Sequence, residues 1–201
     1  IEDPSRRVRA LRTLLRRYLK RESQVVRGPR LMGAREMKRL VLNNPPMREL
    51  ARTEASALGK SEADVLKDMD KAYNSIAAHF RFSVINILFL ILRPMWTRVF
   101  SGVDIGEEDL QRIRQSMREG GTILVPCHKS HFDYMLLSWY FYQNNLIVPH
   151  IVAGINLSIW PLSLVLRSAG AFFIKRSFRG ERIYSAVFSR YLRELIRQNY
   201  P

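Results

Sequence analysis

Beyond Gly121 the chain alternates short apolar runs with amphipathic stretches, and this alternation restricts the fold more than any other feature. Residues 122–126, 146–153 and 171–175 have the length and the β-branched or aromatic content of buried strands. Residues 133–143, 158–168 and 181–198 read as helices, the last with Ile183, Val187, Tyr191, Leu192 and Leu195 turned inward. Strands separated by helices need crossover connections. The expected fold is therefore an α/β layer with a parallel or mixed sheet.

The preceding part reads as helical. Over residues 5–21, Val8, Leu11, Leu15 and Leu19 recur at helical spacing while Arg6, Arg9, Arg12, Arg16 and Lys20 occupy other faces, giving a basic amphipathic helix. A short helix over 34–42 is stopped by Asn43-Asn44-Pro45-Pro46, and Pro46 can open the next, which runs to Gly59. Ser61-Glu62-Ala63-Asp64 has the form of a capping box with Asp in place of Glu, and Val65, Met69, Tyr73 and Ile76 follow on one stripe. The apolar run 82–92, between Arg81 and Arg93-Pro94, is well short of the ~20 residues that span a bilayer. A buried core helix and an interfacial helix explain it equally well, with Trp96 and Arg98 favouring the interface. Residues 107–119 form a further helix, ended by Gly120-Gly121. The change of texture near residue 101 divides the chain into a basic helical region, 1–100, suited to membrane association, and the first part of an α/β domain, 101–201.

With 33 Lys and Arg against 18 Asp and Glu, the net charge of +15 implies an anionic partner: nucleic acid, an acidic membrane surface or a phosphorylated substrate. A composition 47% hydrophobic and 25% charged excludes disorder throughout. The lone Cys127 excludes an internal disulfide and a multi-cysteine zinc module, which fits a reducing cytoplasmic setting. The first residues, Ile1-Glu2-Asp3-Pro4, lack an initiator methionine and a signal-peptide core, and the chain stops abruptly at Pro201, so it reads as a fragment.

His128 lies just past the apolar run 122–126, at the strand end where reactive groups gather in α/β sheets. Asp133 falls at the start of the following helix, where a tight turn would bring its carboxylate to one imidazole nitrogen and leave the other to accept a proton from an alcohol. On spacing alone, His128 as a helix cap with Asp133 as an ordinary first-turn residue explains the pattern equally well. A metal held by His128, His131 and Asp133 is disfavoured, because only the distant His150 and His79 remain as further ligands. Cys127 reads as a small buried strand residue rather than a thiol nucleophile, and His150 as a core or loop histidine. After the run 171–175, Lys175, Arg176 and Arg179 offer cations suited to phosphate oxygens; a solvated charge cluster is the plainer alternative.

The run His128-Lys129-Ser130-His131-Phe132-Asp133-Tyr134 resembles the first signature block of the glycerolipid acyltransferases, and Gly170-Ala171-Phe172-Phe173-Ile174-Lys175-Arg176 resembles their second. Between them, Pro149-His150-Ile151-Val152-Ala153-Gly154-Ile155-Asn156-Leu157 with Ile159-Trp160-Pro161 is similar to the bacterial membrane-bound glycerol-3-phosphate branch, with dihydroxyacetone-phosphate acyltransferases as near relatives. The likeness is convincing over about 121–200 and weak over the helical first half. It implies transfer of a fatty acyl group from an acyl-CoA or acyl carrier protein thioester to the sn-1 hydroxyl of glycerol 3-phosphate, the first step of phospholipid synthesis. His128 would be the base, Asp133 its partner, and Arg176 with Lys175 the phosphate contacts, with no metal or other cofactor. It also implies an anionic membrane surface as partner, at the cytoplasmic face of a bacterial inner membrane. The later Glu-Gly-x-Arg-Ser and proline-containing blocks are missing, so a chain of this length is expected to be inactive alone. The competing reading is a basic nucleic-acid or membrane-adaptor module, which would not need His128.

Overall fold

The structure is a computed structural model of the chain and describes residues 32–99, 106–127, 130 and 132–201. The basic helix expected over 5–21 and the boundary expected near residue 101 lie outside the described residues.

Three helices open the described chain. Helix α1 (Ala34–Leu42) and helix α2 (Pro45–Leu58) are joined through Asn44, whose amide donates to the carbonyls of Leu40 and Val41 at 3.0 and 2.8 Å while its oxygen accepts the Met47 N–H at 3.1 Å. One side chain thus satisfies orphan groups of both helix ends. Pro45 and Pro46 fill the first positions of α2, where a missing N–H costs nothing. Helix α2 ends at Gly59, whose φ of +62° is left-handed and favours glycine. Ser61 caps helix α3 (Glu62–Ile76) as expected: its hydroxyl accepts the Asp64 N–H at 3.1 Å and donates to the Asp64 carboxylate at 2.7 Å. Val65, Met69, Tyr73 and Ile76 are all buried along one stripe of α3.

Helix α4 (Phe82–Pro94) widens into a π-helical turn, Met95–Val99, immediately after Pro94, which has no N–H to continue the regular ladder. Ile85 and Phe89 face inward, whereas Ile87, Leu90 and Ile91 are 54%, 68% and 68% exposed. Trp96, expected to favour an interface, is instead 2% exposed and packs against the rings of Phe132 and Trp139 at 6.4 and 6.1 Å. Its indole joins the interior because the π-turn directs it under helix α6 (Phe132–Gln143). Helix α5 (Glu107–Glu119) packs Leu110 against Tyr140, Phe141 and Leu146. Among the described residues no helix is long and apolar enough to cross a membrane.

The α/β part is built around two parallel strands, β1 (Ile151–Gly154) and β2 (Ala171–Ile174), paired in register from Ile151–Ala171 to Gly154–Ile174. Helix α7 (Leu162–Ser168) lies in the crossover between them, and helix α8 (Arg182–Arg197) follows β2. The expected α/β class holds, with a helical region preceding a partial parallel layer. Two strand expectations do not. Residues 122–126 form no strand, and Ile123 and Val125 are 73% and 87% exposed, because β1 and β2 are the only strands in their sheet among the described residues. Residues 146–150 stay outside β1: the His150 N–H bonds the Pro201 carbonyl at 2.7 Å, and ladder pairing with β2 starts only at Ile151.

Alternation along β2 divides its side chains between two cores. Ala171 and Phe173 pack with Ala153 near α7, while Phe172 enters the largest cluster with Val41, Ala51, Met69, Tyr73, Val187 and Tyr191. Helices on both sides of residue 101 therefore share one interior. The Tyr191 ring meets Tyr73 and Phe172 edge-on at 5.9 and 5.6 Å, and its hydroxyl accepts the Ala78 N–H at 3.1 Å. Arg167 of α7 adds a polar tie, donating at 2.6 Å to both the Ala77 and Ser75 carbonyls at the end of α3.

Phe172→Ala empties the centre of this cluster, and urea unfolding is expected to register a loss of about 3–5 kcal/mol. A loss below about 1 kcal/mol would show that the two parts do not depend on a common core.

Candidate functional site

Asp133 stands in the first turn of α6, three residues after Ser130. The Ser130 N–H donates to Asp133 Oδ2 at 2.9 Å, while Ser130 Oγ accepts the Phe132 N–H at 3.2 Å and the Ser130 carbonyl accepts the Asp133 N–H at 3.2 Å. These reciprocal bonds fold the carboxylate back to the turn that precedes the helix. A carboxylate there also complements the positive end of the helix dipole. His128, Lys129 and His131 lie outside the described residues. Cys127, expected to be buried, is exposed, because the run before it is not clamped into the sheet.

Lys175 and Arg176 leave the carboxyl end of β2, but with different surroundings. Lys175 Nζ sits 2.7 and 2.5 Å from the two carboxylate oxygens of Glu181 and 4.8 Å above the Tyr184 ring. Arg176 and Arg179 are exposed, and their guanidinium groups form no hydrogen bond or ion pair with any described residue. The segment between is anchored by Phe178, whose ring lies 5.6 Å from Tyr184 and 5.4 Å from Phe188, and turns at Gly180, where φ is +77°. The strand expected over 122–126 to bring His128 to the same end is absent, and His128 itself lies outside the described residues.

Behind this segment a cleft of about 530 Å³ separates α2 and α3 from the start of α8. Its charges are matched in pairs: Lys175 with Glu181, Arg182 with the buried Glu54 at 3.1 Å, and Lys71 with Asp68 at 3.3 Å. The roles of Glu54, Glu181 and Tyr184 were not read from the sequence. The available signal was Glu181 placed after a glycine turn and six residues beyond Lys175.

His150 has the structural role expected for it. Its ring lies between Phe80 at 5.5 Å and Tyr200 at 5.2 Å, and burial pushes its pKa down to about 4. His79 is lowered too, first by burial and then by Arg167, Arg81 and Lys38.

Residues 104–201 match the sequence model of the Acyltransferase family. Over 174 residues, 86% of its length, the chain is 38% identical to a protein of Actinobacillus succinogenes and 40% identical to one of Haemophilus influenzae strain PittEE, both named glycerol-3-phosphate acyltransferase. It is 36% identical over 191 residues, 94% of its length, to a protein of the same name from Shewanella sp. strain ANA-3. The chain spans about a fifth of the length of these curated relatives, 21% of the first two and 23% of the third. The similarity reaches well into the helical first half, where the motifs alone carried little: 174 aligned residues exceed the 101 that lie from position 101 onward.

Between the ordinary histidine value of 6.5 and about 4, the unfolded chain binds a proton at position 150 that the folded chain does not. Stability should therefore fall as pH drops through that window, with His79 acting in the same direction. His150→Gln is expected to show a smaller loss of urea midpoint between pH 7 and pH 4 than the native chain; an equal loss would refute this role.

Proposed function

We propose that the native protein is an O-acyltransferase that moves a fatty acyl group from an acyl-CoA or acyl carrier protein thioester to the sn-1 hydroxyl of glycerol 3-phosphate, a reading supported by the match of residues 104–201 to the Acyltransferase family. The observation that carries the reading is the Asp133 carboxylate, folded back onto the turn that precedes α6, within a segment matched to that family. The names of the relatives favour glycerol 3-phosphate as the acceptor.

In this mechanism Asp133 holds the tautomer and orientation of His128, whose free nitrogen takes the proton of the acceptor hydroxyl. The oxygen attacks the thioester carbonyl as the proton leaves. The tetrahedral intermediate then collapses, the carbon–sulfur bond breaks, and the imidazolium returns its proton to the departing thiolate. Products are 1-acylglycerol 3-phosphate and a free thiol. The thioester is already activated toward an alkoxide, so neither a metal nor a redox cofactor is required. Arg176, with Lys175 beside it, marks the phosphate end of the site at the carboxyl end of β2, and its guanidinium supplies positive charge for the acceptor phosphate.

We place the protein peripherally at the cytoplasmic face of a bacterial inner membrane, with residues 1–100 contributing membrane association and 101–201 the chemistry. The outward stripe Ile87, Leu90 and Ile91 of α4, followed by exposed Arg93 and Arg98, supports this arrangement. So does the exposed pair Ile159 and Trp160 just before α7, which packs against α4. The net charge of +15 suits an anionic leaflet, where each Lys or Arg near the surface contributes about 1 kcal/mol.

In the complete native protein, His128→Ala is expected to lower thiol release from palmitoyl-CoA about 10²–10⁴-fold with glycerol 3-phosphate while leaving the melting temperature in place. Undiminished turnover would sink the mechanism, and faster turnover with dihydroxyacetone phosphate would reassign the acceptor. Binding to phosphatidylglycerol vesicles should weaken about tenfold or more in Leu90→Glu/Ile91→Glu. Unaltered binding would remove α4 from the membrane face.

A further inference from the structure

The seven residues from Lys175 to Glu181 form a loop whose two ends are fastened to each other by side chains. At its start, Lys175 Nζ spans both oxygens of Glu181, at 2.7 and 2.5 Å. Beneath that pair lies Tyr184, its ring 4.8 Å from the ammonium. The Tyr184 hydroxyl accepts the Lys175 N–H at 3.2 Å and donates to the Phe173 carbonyl at 3.3 Å. Tyr184 is buried, so its hydroxyl is a fixed point at which β2 and the loop are joined to α8. Phe178 closes the loop from inside, and the Glu181 N–H bonds its carbonyl at 3.0 Å.

The electrostatic consequence is a division of labour. The charge of Lys175 is matched by a carboxylate within the loop, while Arg176 and Arg179 are exposed and pair with no described residue. An arginine fork suits a phosphate dianion, provided its backbone is held in place beforehand. We propose that Lys175, Glu181 and Tyr184 are positioning residues: a strut that sets the loop so that Arg176 meets the acceptor phosphate, with Lys175 acting through Glu181 rather than touching the phosphate. This rests on the reading of the 175–176 pair as the phosphate end of the site.

The test is steady-state kinetics of the complete native protein with glycerol 3-phosphate and palmitoyl-CoA. Glu181→Gln, conservative in shape, is expected to raise KM for glycerol 3-phosphate about tenfold with little change in KM for palmitoyl-CoA. The charge swap Lys175→Glu/Glu181→Lys should recover most of that loss, which simple removal of a phosphate contact at Lys175 would not allow. A lower KM in Glu181→Gln would mean that Lys175, once released, binds phosphate itself, and would overturn the strut. An unchanged KM in Glu181→Gln, with a raised KM in Arg176→Gln, would overturn it too while leaving the phosphate reading intact. If Arg176→Gln also leaves KM unchanged, the phosphate reading fails with it. Glu181 is part-exposed, so these variants are expected to fold, and a melting curve for each confirms that the kinetics report on a native chain.

Discussion

The contact among Tyr73, Phe172 and Tyr191 holds the rest of the molecule in register. One ring comes from α3, one from β2 and one from α8, and they meet edge-on, as aromatic quadrupoles favour. Tyr191 also caps the descent from α3 through the Ala78 N–H, which would otherwise be a costly orphan in the interior. Burial pushes its phenol up to about 12, so the hydroxyl stays protonated through the range in which the protein is handled. With this node in place the helical part is structurally continuous with the layer that carries the phosphate end of the proposed site. A two-stranded sheet has little stability alone, and here it is supported by helices before and after it.

Both halves of the proposed site use the same local device. At α6 a carboxylate from the first turn turns back to accept the N–H of Ser130. At α8 the residue before the helix, Glu181, turns back to the ammonium at the end of β2. In each case a carboxylate at a helix start holds a group that precedes it, the Ser130 N–H at α6 and the Lys175 ammonium at α8. Helix starts suit this purpose because their unpaired N–H groups and dipole favour acidic side chains there.

The apolar surface is the other organising constraint. Ile87, Leu90 and Ile91 make α4 apolar on its outer as well as its inner face, a pattern that an aqueous surface helix does not show. Trp96, the residue of that region with the strongest interfacial signature in the sequence, is withdrawn into the interior by the π-turn after Pro94. Outward character therefore passes to the aliphatic stripe of α4 and to Trp160, near α7.

Helix boundaries were legible wherever they depend on one side chain or one backbone angle: Asn44 between two helices, Gly59 in its left-handed conformation, Ser61 with Asp64. The buried stripe of α3 followed from periodicity, and the parallel layer from the alternation of apolar runs with helices. The chemistry proposed for His128 and Asp133 was not legible in their spacing alone and rests on the resemblance of three linked blocks, to which the structure adds the fold of the carboxylate back to Ser130. Local order of this kind is written in adjacent residues because its partners lie within a turn of each other. Tertiary structure decided the rest: that 122–126 is not a strand, that Cys127 is exposed, that Trp96 is interior, and that Lys175 is held by Glu181 and Tyr184 while Arg176 is not. An apolar run becomes a strand only when a neighbour accepts its hydrogen bonds, and a cation is available to a ligand only when no carboxylate already holds it. Those conditions depend on which elements come together, and no single stretch of sequence contains them.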